Sequence, residues 1–327
     1  MATHPEKLVI GVDIGGTNTS AGIVNQRLEV LDSIVVDTET SSQEAFLKRI
    51  TGLVEKLKAR SPAPPAGAGF GIPSMIDRAR GRAVMSVNIP LADLDFVGYM
   101  QGKTGLPVFI DNDANLAALA EARAGAARGA SEALMITVGT GIGGGVIIGG
   151  RLYRGATGSA AELGHMVIDV NGPRCQGNCP NYGCFETMAS GTALKRYAAE
   201  AAGEQPRSGL GRARAEGKEL DGELVSRLAL EGDETAVAVL DRIGFYIGVG
   251  ITGLINIFNP EVFVIGGGIM RAGDFILGPA RDYLSQRGLR PNRDIVKVVP
   301  ARFGPEAGML GAACLAWEEL GETVHPV

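Results

Sequence analysis

The chain has 327 residues, 45% of them hydrophobic and 20% charged, an ordinary balance for a folded protein in water and enough for two domains. The formal net charge of −5, without any basic stripe, excludes nucleic acid as the expected partner. Residues 1–7 are too polar for a signal peptide, and the longest uncharged run, 243–260, contains glycine, asparagine and proline. We therefore expect a buried helix there rather than a membrane span, and a cytoplasmic protein.

The predicted elements of the first part of the chain are strands that alternate with helices. In chain order they are a strand meander over 8–35, a helix over 43–60, a connector over 61–67, strands over 68–72 and 108–110, and an alanine-rich helix over about 114–126. The helices are predicted from apolar residues at helical spacing and the strands from β-branched runs that end at glycine, proline or asparagine.

The pattern of strands and helices restarts at Ala133, which suggests an internal duplication. Residues 203–234 are charged and interrupted by glycine, so we expect an exposed loop with a surface helix. Alternating strands and helices predict an α/β fold. We expect a smaller N-terminal domain of residues 1–115, joined by a final helix from about 308–327, and a larger C-terminal domain of residues 116–307.

Two glycine turns, one in each half of the chain, are the most informative local patterns. Residues 13–17 read Asp-Ile-Gly-Gly-Thr and residues 139–145 read Gly-Thr-Gly-Ile-Gly-Gly-Gly, each between apolar β-branched runs. Without a Cβ atom, backbone N–H groups can approach an anion such as phosphate. Two such turns predict one phosphate chain held from both sides, although tight hairpins alone would give the same glycines.

The second turn also satisfies the dinucleotide fingerprint G-x-G-x-x-G through Gly139, Gly141 and Gly144. That fingerprint has to open a helix after a strand. Here the glycines lead into Val146-Ile147-Ile148, which predicts another strand. We therefore exclude a Rossmann-type nucleotide site.

Asp113 is the candidate catalytic residue, because it follows a strand and precedes a helix. Ligands of open α/β sheets bind at the carboxyl ends of strands. Phosphoryl transfer to a hydroxyl needs a group that accepts the hydroxyl proton and orients the oxygen. The alternative is that an acid of the stretch Asp111-Asn112-Asp113 only caps the helix.

A cluster of cysteine and histidine predicts a metal site. His165, Cys175, Cys179 and Cys184 fall within a short segment, and Cys₃His is a common set of ligands for structural zinc. The alternative is three buried thiols and a core histidine. Glu162 and Glu186 flank the segment and could accept hydrogen bonds from a polyol, unless they are solvated surface acids. Because the glycine turns lie elsewhere in the sequence, we expect loss of the metal to affect a sugar more than a nucleotide.

These motifs occur in an order that resembles the ROK family of bacterial sugar kinases and repressors. The likeness covers residues from about 8 to about 318 and includes Asp13-Ile-Gly-Gly-Thr17-Asn18, Asn112-Asp113-Ala-Asn115, Glu162-Leu-Gly-His165 and Gly183-Cys-Phe-Glu186. It implies an actin-like ATPase (ribonuclease H-like) fold, in which two α/β domains close over a cleft. It also implies ATP with Mg²⁺ as the donor, a structural Zn²⁺ and Asp113 as the catalytic base.

The resemblance also implies a set of binding residues. The sugar would be contacted by Asn88, Asn112, Asp113, Glu162, His165 and Glu186. The nucleotide would be bound by Gly11, Asp13, Gly15, Gly16, Thr17, Asn18, Gly139, Thr140, Gly141, Gly143, Gly144, Gly267 and Gly268. His165 would use one ring nitrogen for zinc and the other for the sugar.

This sequence departs from the family pattern in a few places. The family usually spaces its first two cysteines as Cys-x-Cys, whereas three residues separate Cys175 from Cys179. Pro180, Ala161 and Ser74 stand where glycine is common. The spacing leaves Cys175 as the metal ligand that most needs testing.

We expect a hexose kinase whose sugar substrate is glucose. We also expect it to act as a homo-oligomer, either a dimer or a tetramer. Fructose, mannose, an N-acetylhexosamine and polyphosphate as the donor remain alternatives. A sugar-sensing repressor is the alternative of another class. Such repressors carry a helix-turn-helix domain before the first glycine turn, whereas only 12 residues precede Asp13 here.

Overall fold

The computed structural model of the protein describes residues 7–86 and 89–326. The first group of elements is β1 (Leu8–Ile14), β2 (Asn18–Asn25), β3 (Val30–Asp37), α1 (Gln43–Arg60), β4 (Ala68–Ile72), β5 (Ser74–Asp77), β6 (Arg82–Ser86), β7 (Ala92–Asp95), α2 (Phe96–Thr104), β8 (Val108–Asn112) and α3 (Asp113–Ala124). The predicted meander, the helix over 43–60 and the strand over 68–72 are thus all present.

The second group of elements begins where the sequence pattern restarts. It consists of β9 (Ala133–Val138), β10 (Ile142–Ile148), β11 (Arg151–Leu152), α4 (Phe185–Ala189), α5 (Gly191–Glu204), α6 (Gly209–Ala215), α7 (Gly222–Leu230), α8 (Glu234–Phe258), β12 (Val262–Gly266), α9 (Asp274–Arg287), α10 (Asn292–Ile295), β13 (Lys297–Pro300) and α11 (Ala307–Glu319). Short 3₁₀ turns cover Leu163–His165, Gly268–Ala272 and Gly304–Glu306.

The first sheet has the strand order β3-β2-β1-β4-β8. β1 and β2 form the antiparallel hairpin that carries the first glycine turn, whereas β1 pairs with β4, and β4 with β8, in parallel. In this register Asp13 lies opposite Gly71, and Ile72 lies opposite Asn112. The carboxyl ends of three neighbouring strands therefore meet at one edge, which is where ligands bind in such sheets.

Helices cover the sheet because their apolar residues recur at helical spacing. α1 buries one stripe, from Phe46 to Leu57, and Ser42 caps its first turn. α11 is buried along almost its whole length and packs very closely on the sheet. A Cβ atom on Gly69 would lie 1.9 Å from the carbonyl oxygen of Ala312, and one on Gly11 would lie 2.2 Å from that of Met309. Glycine at these two positions lets the helix approach the strands.

The second five-stranded sheet has the order β11-β10-β9-β12-β13, with β9, β12 and β13 parallel. A separate antiparallel sheet is formed by β5, β6 and β7. The long helix α8 is, among the described residues, the one helix long and apolar enough to cross a membrane. However, 61% of its apolar window is buried, as expected for a core helix.

The chain divides into two compact units by its internal contacts. The first unit contains residues 1–129, 145–161 and 302–327, and the second contains residues 130–144 and 162–301. This division differs from the expected boundary at residue 115, because Leu116 and Leu119 of α3 pack into the same core as α11. α11 belongs to the first unit.

Two local predictions also differ from the structure. Residues 203–234 contain two helices, α6 and α7, which bury Leu210 and Val225, rather than a loop with one surface helix. The second glycine run is only partly a turn, since β10 already begins at Ile142 and includes Gly143 and Gly144. The sequence Gly-Gly-Gly-Val-Ile-Ile therefore continues as a strand, which agrees with the exclusion of a Rossmann-type site.

Candidate active site

The first glycine turn connects β1 to β2 and exposes backbone N–H groups. The amide of Gly15 donates to the carbonyl of Asn18 at 2.9 Å, and the Thr38 hydroxyl donates to the carbonyl of Gly15 at 2.8 Å. Gly16 and Thr17 are exposed, and their amides have no hydrogen-bond partner among the described residues. A turn that is held by these hydrogen bonds and keeps two N–H donors available suits an anion such as phosphate.

Two acids lie at the carboxyl ends of neighbouring strands in the first unit. Asp13 is near the end of β1, and Asp113 is the first residue of α3, directly after β8. A Cβ atom on Gly71, on the strand between them, would lie 3.4 Å from the Asp113 Cα and 3.5 Å from the Asp13 Oδ1. Burial and then the negative charge of Asp113 raise the pKa of Asp13 to about 7.

The Asp13 carboxyl group also packs against the first turn of α11. A Cβ atom on Gly308 would lie 2.3–2.6 Å from the three carboxyl atoms of Asp13. Glycine is therefore needed at position 308 to make room for this acid. The sequence alone did not indicate this role for Gly308, because the two residues are far apart in the chain.

The capping role that was the alternative for Asp113 belongs to Asn112 instead. The Asn112 Oδ1 accepts hydrogen bonds from the amides of Ala114 at 3.0 Å and Asn115 at 3.2 Å. Because the side-chain oxygen of Asn112 is used in the cap, the side-chain NH₂ group is what remains to donate a hydrogen bond to a ligand. Asp113 thus begins the helix without having to cap it.

Asp111 is fully buried and anchors the same segment. Its Oδ2 accepts a hydrogen bond from the Arg154 Nε at 2.6 Å, and its Oδ1 accepts from the Asn112 amide at 2.8 Å and the Asn115 side chain at 3.1 Å. A second guanidinium, that of Arg78, lies 3.9 Å away. The sequence reading missed Arg154, which comes from a distant part of the chain.

The second glycine turn, between β9 and β10, is held by hydrogen bonds within the turn and to residues at the start of α5, all of them in the second unit. Within it, the Gly139 amide donates to the Gly141 carbonyl at 3.0 Å. The amide of Gly191 donates to the Gly139 carbonyl at 2.8 Å, and the Thr192 hydroxyl donates to the Thr140 carbonyl at 2.8 Å. In the described part of the chain the amides of Thr140 and Gly141 have no partner.

Gly267 supports this turn from the neighbouring strand. It has a positive φ of 92°, and a Cβ atom there would lie 2.3 Å from the Val138 carbonyl oxygen, next to the turn. Gly268 begins a 3₁₀ turn with open space around its Cα. Gly11, by contrast, lies in the middle of β1 under α11, so its position is that of a packing glycine rather than a turn residue.

The predicted cysteine and histidine side chains converge. Their candidate ligand atoms all lie within 4.8 Å of one another, and belong to His165, Cys175, Cys179 and Cys184. The Cys175 sulfur lies 3.5 Å from the His165 Nδ1, and the sulfurs of Cys179 and Cys184 are 3.9 Å apart. Thiolates bound tetrahedrally at a Zn–S distance of about 2.3 Å would be about 3.8 Å apart, so this donor set fits zinc.

Local turns bring the cluster together. A Cβ atom on Gly183 would lie 1.5 Å from the Asp169 carbonyl oxygen, so this glycine lets Cys184 reach the segment after His165. On the other side, a Cβ atom on Gly164 would lie 2.1 Å from the Ile142 carbonyl oxygen. His165 is thereby seated against β10.

The two flanking acids differ in their surroundings. Glu186 is buried, accepts hydrogen bonds from the Cys175 thiol at 3.2 Å and the Ile142 amide at 3.3 Å, and lies 3.6 Å from the His165 Nδ1. Glu162 is mostly exposed, with an oxygen 3.9 Å from the His165 Nε2. His165 therefore turns Nδ1 toward the cluster and Nε2 toward Glu162. Burial, followed by the hydrogen bond to Glu186, raises the pKa of the Cys175 thiol.

Known proteins resemble this chain over nearly its whole length. The sequence pattern of the ROK family matches residues 9–319. This chain belongs to the ROK family. A glucokinase of Thermotoga maritima is 35% identical over 97% of this chain and 99% of that protein. A xylose repressor of Bacillus spizizenii is 30% identical over 96% of this chain, but this chain covers 78% of that repressor.

The fold of this chain is similar to that of a solved ROK structure. The glucokinase of Streptomyces griseus in complex with glucose and AMPPNP superposes with a TM-score of 0.83 at 34% identity, covering 94% of this chain and 98% of that one. The actin-like ATPase fold of the ROK sugar kinases, expected from the sequence, is thus confirmed.

The departures from the ROK pattern have a visible structural basis. Gly177, between the first two cysteines, has a positive φ of 59°, so the longer loop turns back and the Cys175 sulfur still reaches the cluster. Ala161 has a positive φ of 67°, a backbone conformation that glycine adopts without strain. Asn88, which was expected to contact the sugar, lies outside the described residues.

Proposed function

We propose that this protein is an ATP-dependent glucokinase, which converts glucose and ATP to glucose 6-phosphate and ADP. The full-length likeness to glucokinases supports the reaction. So does the similar structure that contains glucose together with AMPPNP, an analogue of ATP. ATP enters as its magnesium complex, as is general for kinases.

The observation that carries the proposal is the position of Asp113. It opens α3 at the carboxyl end of β8, one strand removed from the hairpin that carries the first glycine turn. An acid so placed is suited to accept the proton of the 6-hydroxyl group as the oxygen attacks the γ-phosphate. The γ-phosphoryl group passes to that oxygen as ADP leaves, and the reaction depends mainly on positioning and electrostatics.

The nucleotide is assigned to both glycine turns. The amides of Gly16, Thr17, Thr140 and Gly141 are the proposed donors to the phosphate oxygens, with Asp13 beside the first turn. Gly15, Asn18, Gly139, Gly143 and Gly144 shape these turns and their strands, and Gly267 and Gly268 are the proposed neighbours of the adenosine. We withdraw Gly11 from this set because it packs under α11.

The sugar is assigned to a set of polar side chains. The proposed contacts are Asn112, Asp113, Glu162, His165 and Glu186, together with Asn88. Asn112 would use its side-chain amide as a donor, since its oxygen caps α3. A zinc ion held by His165, Cys175, Cys179 and Cys184 would supply no step of the reaction and would serve to orient His165 and Glu186.

A coupled assay of ADP release over a panel of sugars tests the substrate. We expect glucose to give the highest kcat/KM, above fructose, mannose and the N-acetylhexosamines. A higher value for one of these would replace glucose, and turnover with polyphosphate instead of ATP would replace the donor. Binding of xylose without turnover of any hexose would favour a sugar sensor. We also propose that the protein acts in the cytoplasm as a dimer or a tetramer. Size-exclusion chromatography would distinguish either oligomer from a monomer.

A further inference from the structure

The longer loop between the first two cysteines makes a contact outside the metal cluster. Gln176 follows Cys175 directly, and its side-chain amide donates a hydrogen bond to the Thr140 carbonyl at 3.3 Å. Thr140 lies at the exposed tip of the second glycine turn. The loop thus reaches from the cysteine cluster to the turn.

Two carbonyl groups of this turn accept hydrogen bonds from neighbouring segments. The Thr140 carbonyl accepts from Gln176 and from the Thr192 hydroxyl at 2.8 Å, and the Gly139 carbonyl accepts from the Gly191 amide at 2.8 Å. In a planar trans peptide the N–H group points opposite to the carbonyl group. Holding these two carbonyls therefore fixes the directions of the N–H groups of Thr140 and Gly141, the two proposed donors to phosphate.

Glu186 provides a second connection between the same two regions. Its Oε1 contacts the Cys175 thiol, while its Oε2 accepts from the Ile142 amide at the end of the turn. A Cβ atom on Gly141 would lie 2.4 Å from that same Oε2. The segment that carries the cysteines therefore touches the turn at Thr140 and at Ile142.

We propose that Gln176 is a positioning residue for the second glycine turn, through which the cysteine-bearing segment sets the affinity for ATP. The inference rests on the proposed function, because it takes the turn to bind phosphate. It replaces our expectation that disturbing the cysteine segment would affect the sugar and largely spare the nucleotide. That expectation considered distance along the chain, whereas Gln176 and Glu186 contact the turn directly.

The test compares Gln176→Ala and Gln176→Glu with Asn178→Ala, a matched change at an exposed residue of the same loop. We expect both Gln176 variants to raise the Kd of AMPPNP about 3- to 10-fold, the effect of losing one hydrogen bond. Gln176→Glu should be at least as severe, because a carboxylate cannot donate to the Thr140 carbonyl. The Kd of glucose and the zinc content should stay within about twofold of the original protein, and Asn178→Ala should change none of these values.

Hydrogen exchange measured by mass spectrometry gives a readout that does not require activity. Peptides that contain residues 139–142 should exchange faster in both Gln176 variants than in Asn178→Ala. An unchanged Kd for AMPPNP together with unchanged exchange would overturn the proposal, and so would an equal effect of Asn178→Ala. A further outcome is that the original protein binds AMPPNP, with the expected rise of its Kd in both Gln176 variants, and yet phosphorylates no sugar. In that case the kinase assignment fails while the role of Gln176 stands.

Discussion

Asp13 is half-buried near Asp113, and desolvation together with the negative charge of Asp113 raises the pKa of Asp13 from 3.8 to about 7. Gly71, which has no side chain, lies opposite Asp13 on the strand between them, and a Cβ atom there would lie within 3.5 Å of atoms of both acids. A nearby negative charge and loss of solvent both disfavour an ionised carboxyl group, so Asp13 keeps its proton to a higher pH than a free aspartic acid does.

Replacing Asp113 tests its role as the base. Asp113→Asn should lower kcat by around two orders of magnitude or more, because the amide cannot accept the hydroxyl proton. The Kd of glucose, measured by calorimetry, should change little. Near-normal turnover in this variant would rule out Asp113 as the base.

The raised pKa of Asp13 predicts how stability depends on pH. Between pH 3.8 and about 7 the folded chain binds more protons at Asp13 than the unfolded chain does, so this residue lowers the free energy of unfolding as the pH rises. Asp13→Asn removes that dependence. The free energy of unfolding of the variant, relative to that of the original protein, should therefore increase by up to about 4 kcal/mol from pH 4 to pH 8. This figure follows from about 1.36 kcal/mol for each unit of pKa shift.

Urea unfolding of both proteins at several pH values measures this effect. Any cost of the substitution that does not depend on pH cancels in the comparison. Asp113→Asn removes one of the two causes of the shift and should give an intermediate dependence. A constant difference between the two proteins across this range would show that Asp13 ionises normally in the folded chain.

Arg154 should hold the catalytic segment through Asp111. Arg154→Met leaves the buried Asp111 carboxylate without its 2.6 Å partner. Removing one member of a buried ion pair costs about 3–5 kcal/mol, and we expect about 2–3 kcal/mol here because Arg154 is partly exposed. Turnover should fall as well, since Asp111 anchors the strand end that carries Asp113.

The matched control is Arg151→Met, a change at an exposed arginine close by in the chain. It should leave both the free energy of unfolding and kcat unchanged. Asp111→Asn combined with Arg154→Met should recover part of the lost stability, because no unpaired buried charge remains. If Arg154→Met is as stable and active as the original protein, the pair has no positioning role.

Ala161 should be strained, since its φ is 67°. A left-handed backbone costs an L-residue about 1–2 kcal/mol, whereas glycine costs about 0.5–1 kcal/mol in lost chain entropy. Ala161→Gly should therefore raise the free energy of unfolding by up to about 1 kcal/mol. Ala160→Gly, at a neighbour without a positive φ, should lower it by about 0.5–1 kcal/mol. Destabilisation of similar size in both variants would contradict the assignment of strain.

The metal assignment is tested by the cysteines themselves. Purified protein should contain about one zinc per chain, and Cys184→Ser should lose it because three ligands rarely hold a structural zinc. Cys314→Ser, at a buried cysteine of α11 that lies outside the cluster, should retain full zinc content. Full occupancy in Cys175→Ser would show that another group replaces this ligand, and absence of zinc from the original protein would disprove the site.

The sequence by itself was sufficient for the features that depend on neighbouring residues. The apolar spacing of residues 43–60 gave the helix α1, the glycines gave the turn between β1 and β2, and Asp113 was correctly placed between a strand and a helix. The convergence of His165 with the three cysteines also followed from a short segment. In each case one local pattern determines the conformation, because a helix, turn or loop brings together residues that are near in the chain.

Only the tertiary structure decided which distant residues meet. It placed Gly11 under α11, Gly308 against Asp13, Arg154 on Asp111 and Gln176 on Thr140. None of these pairs leaves a local signal, since each depends on how whole elements pack. The capping of α3 shows the same limit on a small scale. Asn112 and Asp113 are both good caps by composition, and the backbone geometry at the end of β8 selects Asn112.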